Sequence, residues 1–247
     1  MAVAQKKRDS SGSTRSVVAE ARGKTPRTSR RELFRSIIGA ALIFLFIRTF
    51  FIEAFRIPSG SMEPTLLVGD FLFVNKLAYG PHIPFTSINL PGYSEPKRGE
   101  IAVYRSPDAS DGNPTVVKRI VGLPGDTLYM RSALLHVNGI AQRQGYGAES
   151  AFAQDSYDPA FVWQRQYALS RSRFGGAPAT PTHDNWGPIV VPPEHFFTLG
   201  DNRYNSKDAR YYGFVPRENL RGRPLFIYFS IDWESFDARW SRIGLRF

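Results

Sequence analysis

Cysteine is absent from this 247-residue chain. Disulfides, thiolate metal sites and a cysteine nucleophile are therefore excluded. Absence of cysteine suits cytosolic and exported proteins alike, so it does not place the compartment. Histidine is scarce: His82, His136, His183 and His195 are the only four. They fall in no metal-ligand spacing such as H-E-x-x-H, and no G-x-S-x-G elbow accompanies them. Each reads as a structural or surface histidine, and neither a metal nor a cofactor is expected. Downstream of Phe55 there is no amphipathic helical pattern of three turns, and no internal repeat.

Acidic residues are outnumbered, 22 against 32 Lys and Arg, for a formal charge of +10. The imbalance is local. Residues 1–36 hold ten Lys/Arg and three acids, Asp9, Glu20 and Glu32, while the remainder is close to balanced. A basic arm on a balanced body is unlike a nucleic-acid-binding domain with a basic face, so no nucleic-acid partner is expected. It suits a segment beside an anionic membrane surface. Residues 1–30 have too few large apolar side chains to pack a core, and 1–36 reads as a disordered basic tail. Gly23-Lys24-Thr25 has the look of the end of a phosphate-binding loop. Val18 stands where that loop needs a glycine, however, and no strand precedes it.

The run Ile37–Ile47 is uncharged, and with its extension to Phe55 it makes a 19-residue apolar segment. As a helix this would span roughly 28 Å at about 1.5 Å per residue. Arg48 and Glu53 lie in its last third, where Arg48 can reach the headgroups. A membrane anchor over 37–55 is the first reading; a cleaved export signal and an interfacial helix compete with it. No small-x-small site follows in Ile52-Glu53-Ala54-Phe55-Arg56, which weakens the cleaved signal. The charge asymmetry puts 1–36 in the cytoplasm and 56–247 outside.

Beyond the apolar segment, short stretches of strand composition alternate with Gly and Pro: Phe71–Lys76, Ile101–Tyr104, Val116–Val121, Leu128–Met130, Leu134–Val137, Phe196–Leu199 and Leu225–Ser230. Asn138-Gly139 predicts a tight hairpin turn. The expectation is a mainly β, largely antiparallel domain over 56–247. Residues 141–190, rich in Gln, Ser, Tyr, Pro and Gly, read as an inserted subdomain.

Three segments hold the candidate chemistry. In Ile57-Pro58-Ser59-Gly60-Ser61-Met62-Glu63-Pro64, prolines stiffen both ends and Gly60 permits a close approach. Ser59 and Ser61 would point the same way in an extended stretch; a turn capped by its serines is the competing reading. In Val116-Val117-Lys118-Arg119-Ile120-Val121, Lys118 shares a strand face with Val116 and Ile120. If that face is core, its ammonium is desolvated and its pKa falls, leaving an amine able to take a serine proton. A lysine snorkelling at a sheet edge is the alternative. The third segment, Gly200 to Arg210, is a polar loop after a strand. Its acids lack calcium-loop spacing, and Asp208 with Arg210 reads as an ion pair that orients the amine from behind.

Taken together, these segments resemble the type I signal peptidases, membrane-anchored serine–lysine proteases. The likeness runs from about Arg48 to Phe247. It rests on Arg48 to Met62 (RTFFIEAFRIPSGSM), Arg98 to Tyr104 (RGEIAVY), Lys118 to Asp126 (KRIVGLPGD) and Gly200 to Pro216, with Ser241-Arg242-Ile243-Gly244 also familial. The resemblance implies Ser61 as nucleophile, Lys118 as general base, and the Ser61 amide with the Ser59 hydroxyl as oxyanion hole. It implies Ser206 as the serine positioning the amine, with Asp208 and Arg210 behind it. Phe55, Ile57, Met62, Leu66, Val116 and Val117 would line pockets for small side chains at −1 and −3. The implied fold is a β-rich catalytic core with an inserted subdomain, shared with the self-cleaving domain of SOS repressors. The implied partners are preprotein signal peptides, membrane lipid and, nearby, the secretion machinery; the implied place is the plasma membrane, single-pass, with the catalytic domain on the outer face. Tyr204 stands where the family usually has an acid, and Ala209 where serine is common. A self-cleaving repressor would need a DNA-binding module in place of the tail and anchor. A peptidase dedicated to one secreted substrate, and a tethered relative without catalysis, remain open at this point.

Overall fold

The computed structural model describes residues 29–83, 86, 88–143, 155, 157–169 and 173–247. Most of the basic tail and part of the expected insertion lie outside them. Helix α1, Arg30–Phe50, starts seven residues before the apolar run. Its start is set by a reciprocal cap: the Arg31 N–H donates to Ser29 Oγ at 3.3 Å and the Ser29 N–H to Glu32 at 3.0 Å, which satisfies first-turn donors. Arg48 sits in the last turn, where a cation suits the helix dipole. Its 21 residues have a mean hydropathy of 1.8 over the most apolar window. At about 1.5 Å per residue they are long enough to cross a hydrocarbon core. The apolar stretch to Phe55 is divided, because Ile52–Arg56 forms strand β1.

The β body holds two antiparallel sheets. Its strands are β1, β2 (Asp70–Asn75), β3 (Ile101–Arg105), β4 (Thr115–Gly122), β5 (Thr127–Arg131), β6 (Leu134–Val137), β7 (Ile140–Ala141), β8 (Trp186–Val190), β9 (His195–Leu199), β10 (Val215–Pro216) and β11 (Leu220–Ser230). The larger sheet has the order β1-β2-β11-β3-β4-β9-β10, and the smaller one β7-β6-β5-β8. The mainly β expectation therefore holds. The turn between β6 and β7 is Asn138-Gly139, with φ of 54° and 89°. Both central residues thus adopt the positive φ that a two-residue hairpin requires. Among the described residues, the only α-helix after α1 is the single turn α2, Ala209–Tyr212. The irregular stretch ends at Asn185, because Trp186–Val190 pairs with β5.

Alternation along the strands builds the core. In β2, Asp70, Leu72 and Val74 point inward. Leu72 and Val74 join Ile57, Met62, Leu66, Ile101, Val103 and Ile227 in one cluster. On the other face Phe73 stacks on Tyr228 at 4.3 Å, and Phe71 meets Phe229 at 5.8 Å. Strand β3 is buried along four successive residues, as expected of an interior strand covered on both faces. A second cluster groups Ala102, Tyr104, Ile120, Phe196, Val215 and Leu220.

Asp70 is the charged residue in this packing, with no exposure at all. Its carboxylate accepts from Ser230 Oγ at 2.7 Å, from the Leu67 N–H at 2.8 Å and from Arg242 Nη2 at 2.7 Å. Arg242 also donates to the Thr65 carbonyl at 2.9 Å. The Ser241–Gly244 segment thus fastens the loop that follows the serine motif. Removing one partner of a buried pair strands the other charge. Arg242→Ala is therefore expected to cost about 3–5 kcal/mol in a urea unfolding curve. A loss below about 1 kcal/mol, the usual worth of an exposed pair, would show that Asp70 does not depend on it.

Candidate active site

The serine segment leaves β1 through buried Ile57 and turns into a short 3-10 turn over Gly60–Met62. Met62 is buried and anchors it, while the Glu63 N–H closes on the Gly60 carbonyl at 3.1 Å. Ser59 precedes the turn in an extended conformation, exposed, and its side chain caps nothing. The Ser61 N–H belongs to the first turn, where donors have no acceptor within the helix. The capped-turn alternative is thus not what forms: neither the Ser59 hydroxyl nor the Ser61 N–H is tied up by the turn.

Lys118 lies on β4, between β3 and β9, opposite Ala102. It is 4% exposed. This is a sheet interior, so the snorkelling alternative fails. The Nζ of Lys118 stands 2.5 Å from Ser61 Oγ. Burial pushes its pKa below the ordinary lysine value. Arg210 adds to that fall, and Asp208 and Asp201 oppose it. The arrangement is a hydroxyl in contact with an amine biased towards its neutral form, which is what proton removal from serine needs.

The loop Gly200–Asp208 lies behind the amine. Asp208 and Arg210 are fully buried and pair twice, Nε to Oδ1 and Nη2 to Oδ2, both at 2.9 Å. Burial alone would raise the Asp208 carboxyl, but Arg210, the Gly200 N–H and the Ser206 hydroxyl hold it below the usual carboxylate range. Asp208 also caps α2 through the Arg210 N–H. Arg210 Nη2 donates to the Arg203 carbonyl, and Arg203 Nε to the Gly200 carbonyl at 3.0 Å. Ser206 is buried, and among the described residues its oxygen makes no well-formed hydrogen bond, to Lys118 in particular. It stands close enough to Asp208 to favour the charged carboxylate.

Of the six residues expected to line the specificity pockets, five converge. Ile57, Met62 and Leu66 are core members of one cluster, with Phe55 and Val117 half-buried against it. Val116 projects from the opposite face of β4 and packs against the Ala102–Tyr104–Ile120 cluster.

The structure also brings in residues to which the sequence reading gave no role. Arg119 binds Asp201 bidentately, at 2.8 and 2.6 Å, and donates to the Gly99 carbonyl at 2.7 Å. Thr65 Oγ1 donates to the same Asp201 carboxylate at 2.6 Å. One carboxylate thus joins the serine segment, the lysine strand and the polar loop. The Asn202 N–H reaches the Ser61 carbonyl at 3.2 Å. Gly200 sits at that junction. A Cβ there would lie 2.5 Å from the Ser61 carbonyl oxygen and 2.2 Å from Ser206 Oγ, so no larger residue fits. The available signal was a guanidinium on an apolar strand, which needs a partner.

The β-sheet body thus holds a buried amine against a serine hydroxyl, the pairing that an activated serine nucleophile would need. The family model described as signal peptidase, peptidase S26, matches residues 30–229, and the chain belongs to that family. It is 36% identical to signal peptidase I of Pseudomonas fluorescens, over 87% of this chain and 78% of that protein. With signal peptidase I of Aquifex aeolicus it shares 33% identity over 81% and 82% of the two chains. A solved signal peptidase I from Enterococcus faecalis V583 is 26% identical and covers 53% of this chain and 97% of that one, with a TM-score of 0.33.

The lowered Lys118 value has a stability consequence of definite sign. The folded pKa lies below the unfolded one, so between the two the unfolded chain holds the extra proton. Folding is penalised at neutral pH, and the penalty fades as pH rises through the folded value towards the ordinary lysine range. Lys118→Met should therefore be more stable than the parent at pH 7, with the gap narrowing by pH 10. Urea unfolding at both pH values checks this; a pH-independent gap would mean that Lys118 is not desolvated.

Proposed function

We propose that this member of the signal peptidase family removes N-terminal signal peptides from preproteins with Ser61 as nucleophile and Lys118 as general base. The supporting observation is the 2.5 Å contact between Lys118 Nζ and Ser61 Oγ, with the lysine buried in the sheet. Neutral Lys118 takes the Ser61 proton as Oγ attacks the scissile carbonyl. The resulting ammonium then protonates the leaving amine. A water deprotonated by the same amine hydrolyses the acyl-enzyme and restores both groups. The Ser61 N–H and the Ser59 hydroxyl, neither occupied by the turn, stabilise the oxyanion. Close-packed apolar walls built from Phe55, Ile57, Met62, Leu66 and Val117 favour small side chains at −1 and −3, since an added bulk must displace them.

Helix α1 is the membrane anchor in this reading, embedded in lipid with the basic tail in the cytoplasm and the β body on the outer face. The apolar length of α1 and the ten cations of residues 1–36 support it. Ser61 comes eleven residues after Phe50, so catalysis takes place close to the membrane and beside the secretion machinery that delivers the substrate.

Ser61→Ala and Lys118→Ala should each abolish cleavage of a preprotein with Ala at −1, while replacement of His82, His136 and His195 leaves it. Normal turnover by folded Lys118→Ala would sink the assignment. Ser59→Ala should fold normally and lose about 10²–10³ in kcat, the usual loss for one oxyanion donor. An unchanged kcat would show that the hydroxyl faces away from the developing charge.

A further inference from the structure

The segment between β7 and β8 leans on the polar loop behind Lys118 at several points. Trp163 Nε1 donates to the Arg210 carbonyl at 2.7 Å. The Tyr204 hydroxyl donates to Asp184 Oδ1. His183 Nε2 and the Tyr211 hydroxyl are 2.9 Å apart. Phe161, fully buried, stands edge-on to both His183 and Tyr211, each at 4.9 Å. The segment is itself braced. Asp155 accepts from Thr182 Oγ1 at 2.7 Å, from Asn185 Nδ2 at 2.9 Å and from the Asp184 N–H at 3.1 Å. Those three bonds fix the short stretch that presents His183 and Asp184.

We propose that the inserted segment is a buttress that fixes the loop carrying Asp208 and Arg210, with Trp163 and Asp184 as positioning residues for the Ser61–Lys118 pair. The inference rests on the serine–lysine reading above. Without the insertion, one side of the loop would be held only by its internal bonds. Those internal bonds run from Arg210 to the Arg203 carbonyl and from Arg203 to the Gly200 carbonyl, while the Asn202 N–H ties the loop to the Ser61 carbonyl. A shift at Arg210 therefore reaches Ser61 through backbone contacts that Gly200 leaves no room to relax. The charged groups acting on Lys118 are Asp208, Arg210 and Asp201, all on this loop or just beyond it. Tyr204 fits the same role. An acid there would face Asp184 with like charge, whereas the phenol donates to it.

The test uses the full-length protein in detergent, with Trp163→Phe, Tyr204→Phe, Asp184→Ala and Asp184→Asn. Trp163→Phe keeps the ring and loses only the indole N–H. Asp184→Asn keeps an acceptor oxygen for Tyr204. Small misplacement of reacting groups costs rate more than binding, so Trp163→Phe, Tyr204→Phe and Asp184→Ala should lower kcat about ten- to a hundred-fold with KM unchanged. Activity needs Lys118 unprotonated, so kcat/KM should rise with pH through its pKa, and in these variants that rising limb should move to higher pH, because a loosened loop lets water solvate the ammonium. Asp184→Asn should keep most of the rate. Amide hydrogen exchange should quicken over residues 200–211 and not in β2 or β3. Unchanged kcat and pH limb in the first three variants overturn the proposal. So does exchange that quickens uniformly across the sheets, which would mark a general loss of stability. Failure of the serine–lysine reading itself shows separately, as turnover surviving in Lys118→Ala.

Discussion

Lys118 sits in the middle of a seven-stranded sheet, and the cost of a charge there shapes what surrounds it. An ammonium out of water is stable only if something opposite and close repays its hydration. The fold withholds a direct carboxylate partner and supplies a hydroxyl instead, 2.5 Å away. Asp208 and Asp201 are near enough to temper the fall in pKa but are each committed to an arginine. A carboxylate bound directly to the amine would make a better salt bridge and a worse base.

The two arginine–aspartate pairs therefore have different tasks. Arg119–Asp201 is a junction, because its carboxylate also takes the Thr65 hydroxyl and so links three segments distant in sequence. Asp208–Arg210 is a buried block that caps α2, receives the Gly200 N–H and props the loop from within. Buried pairs of this kind add little net stability over apolar packing, since desolvation offsets the attraction. Here they hold backbone segments at fixed distances from Ser61 and Lys118, which apolar side chains of similar volume would do less precisely.

Much of this was legible because local patterns carry it. Strand composition marked β2, β3, β4 and β9, and Asn138-Gly139 marked the hairpin as a turn-forming pair. Lys118 was conspicuous as a cation on an apolar strand. Strand β1 was hidden inside the apolar run that also makes α1, since five residues of either look alike. Strand β8 was hidden by Gly187-Pro188, which reads as a turn. Only the last part of β11 was visible, because Pro224 sits where its pairing with β2 shifts register. The Thr65–Asp201–Arg119 junction joins residues up to 136 positions apart, and no local spacing reveals a partner at that range. The direction of the Ser206 hydroxyl depends on how Gly200 packs, which no local pattern encodes.

Arg242 grips the loop after the serine motif across 177 residues of chain. A polypeptide grows and crosses a membrane in one direction, from its N-terminus. Ser61 is thus made well before Arg242, the clasp that holds the loop after it. During synthesis the serine segment remains without its anchor until β11 and Arg242 arrive. A newly made molecule then passes through a long interval in which Ser61 and Lys118 are present and the segment that braces their surroundings is not.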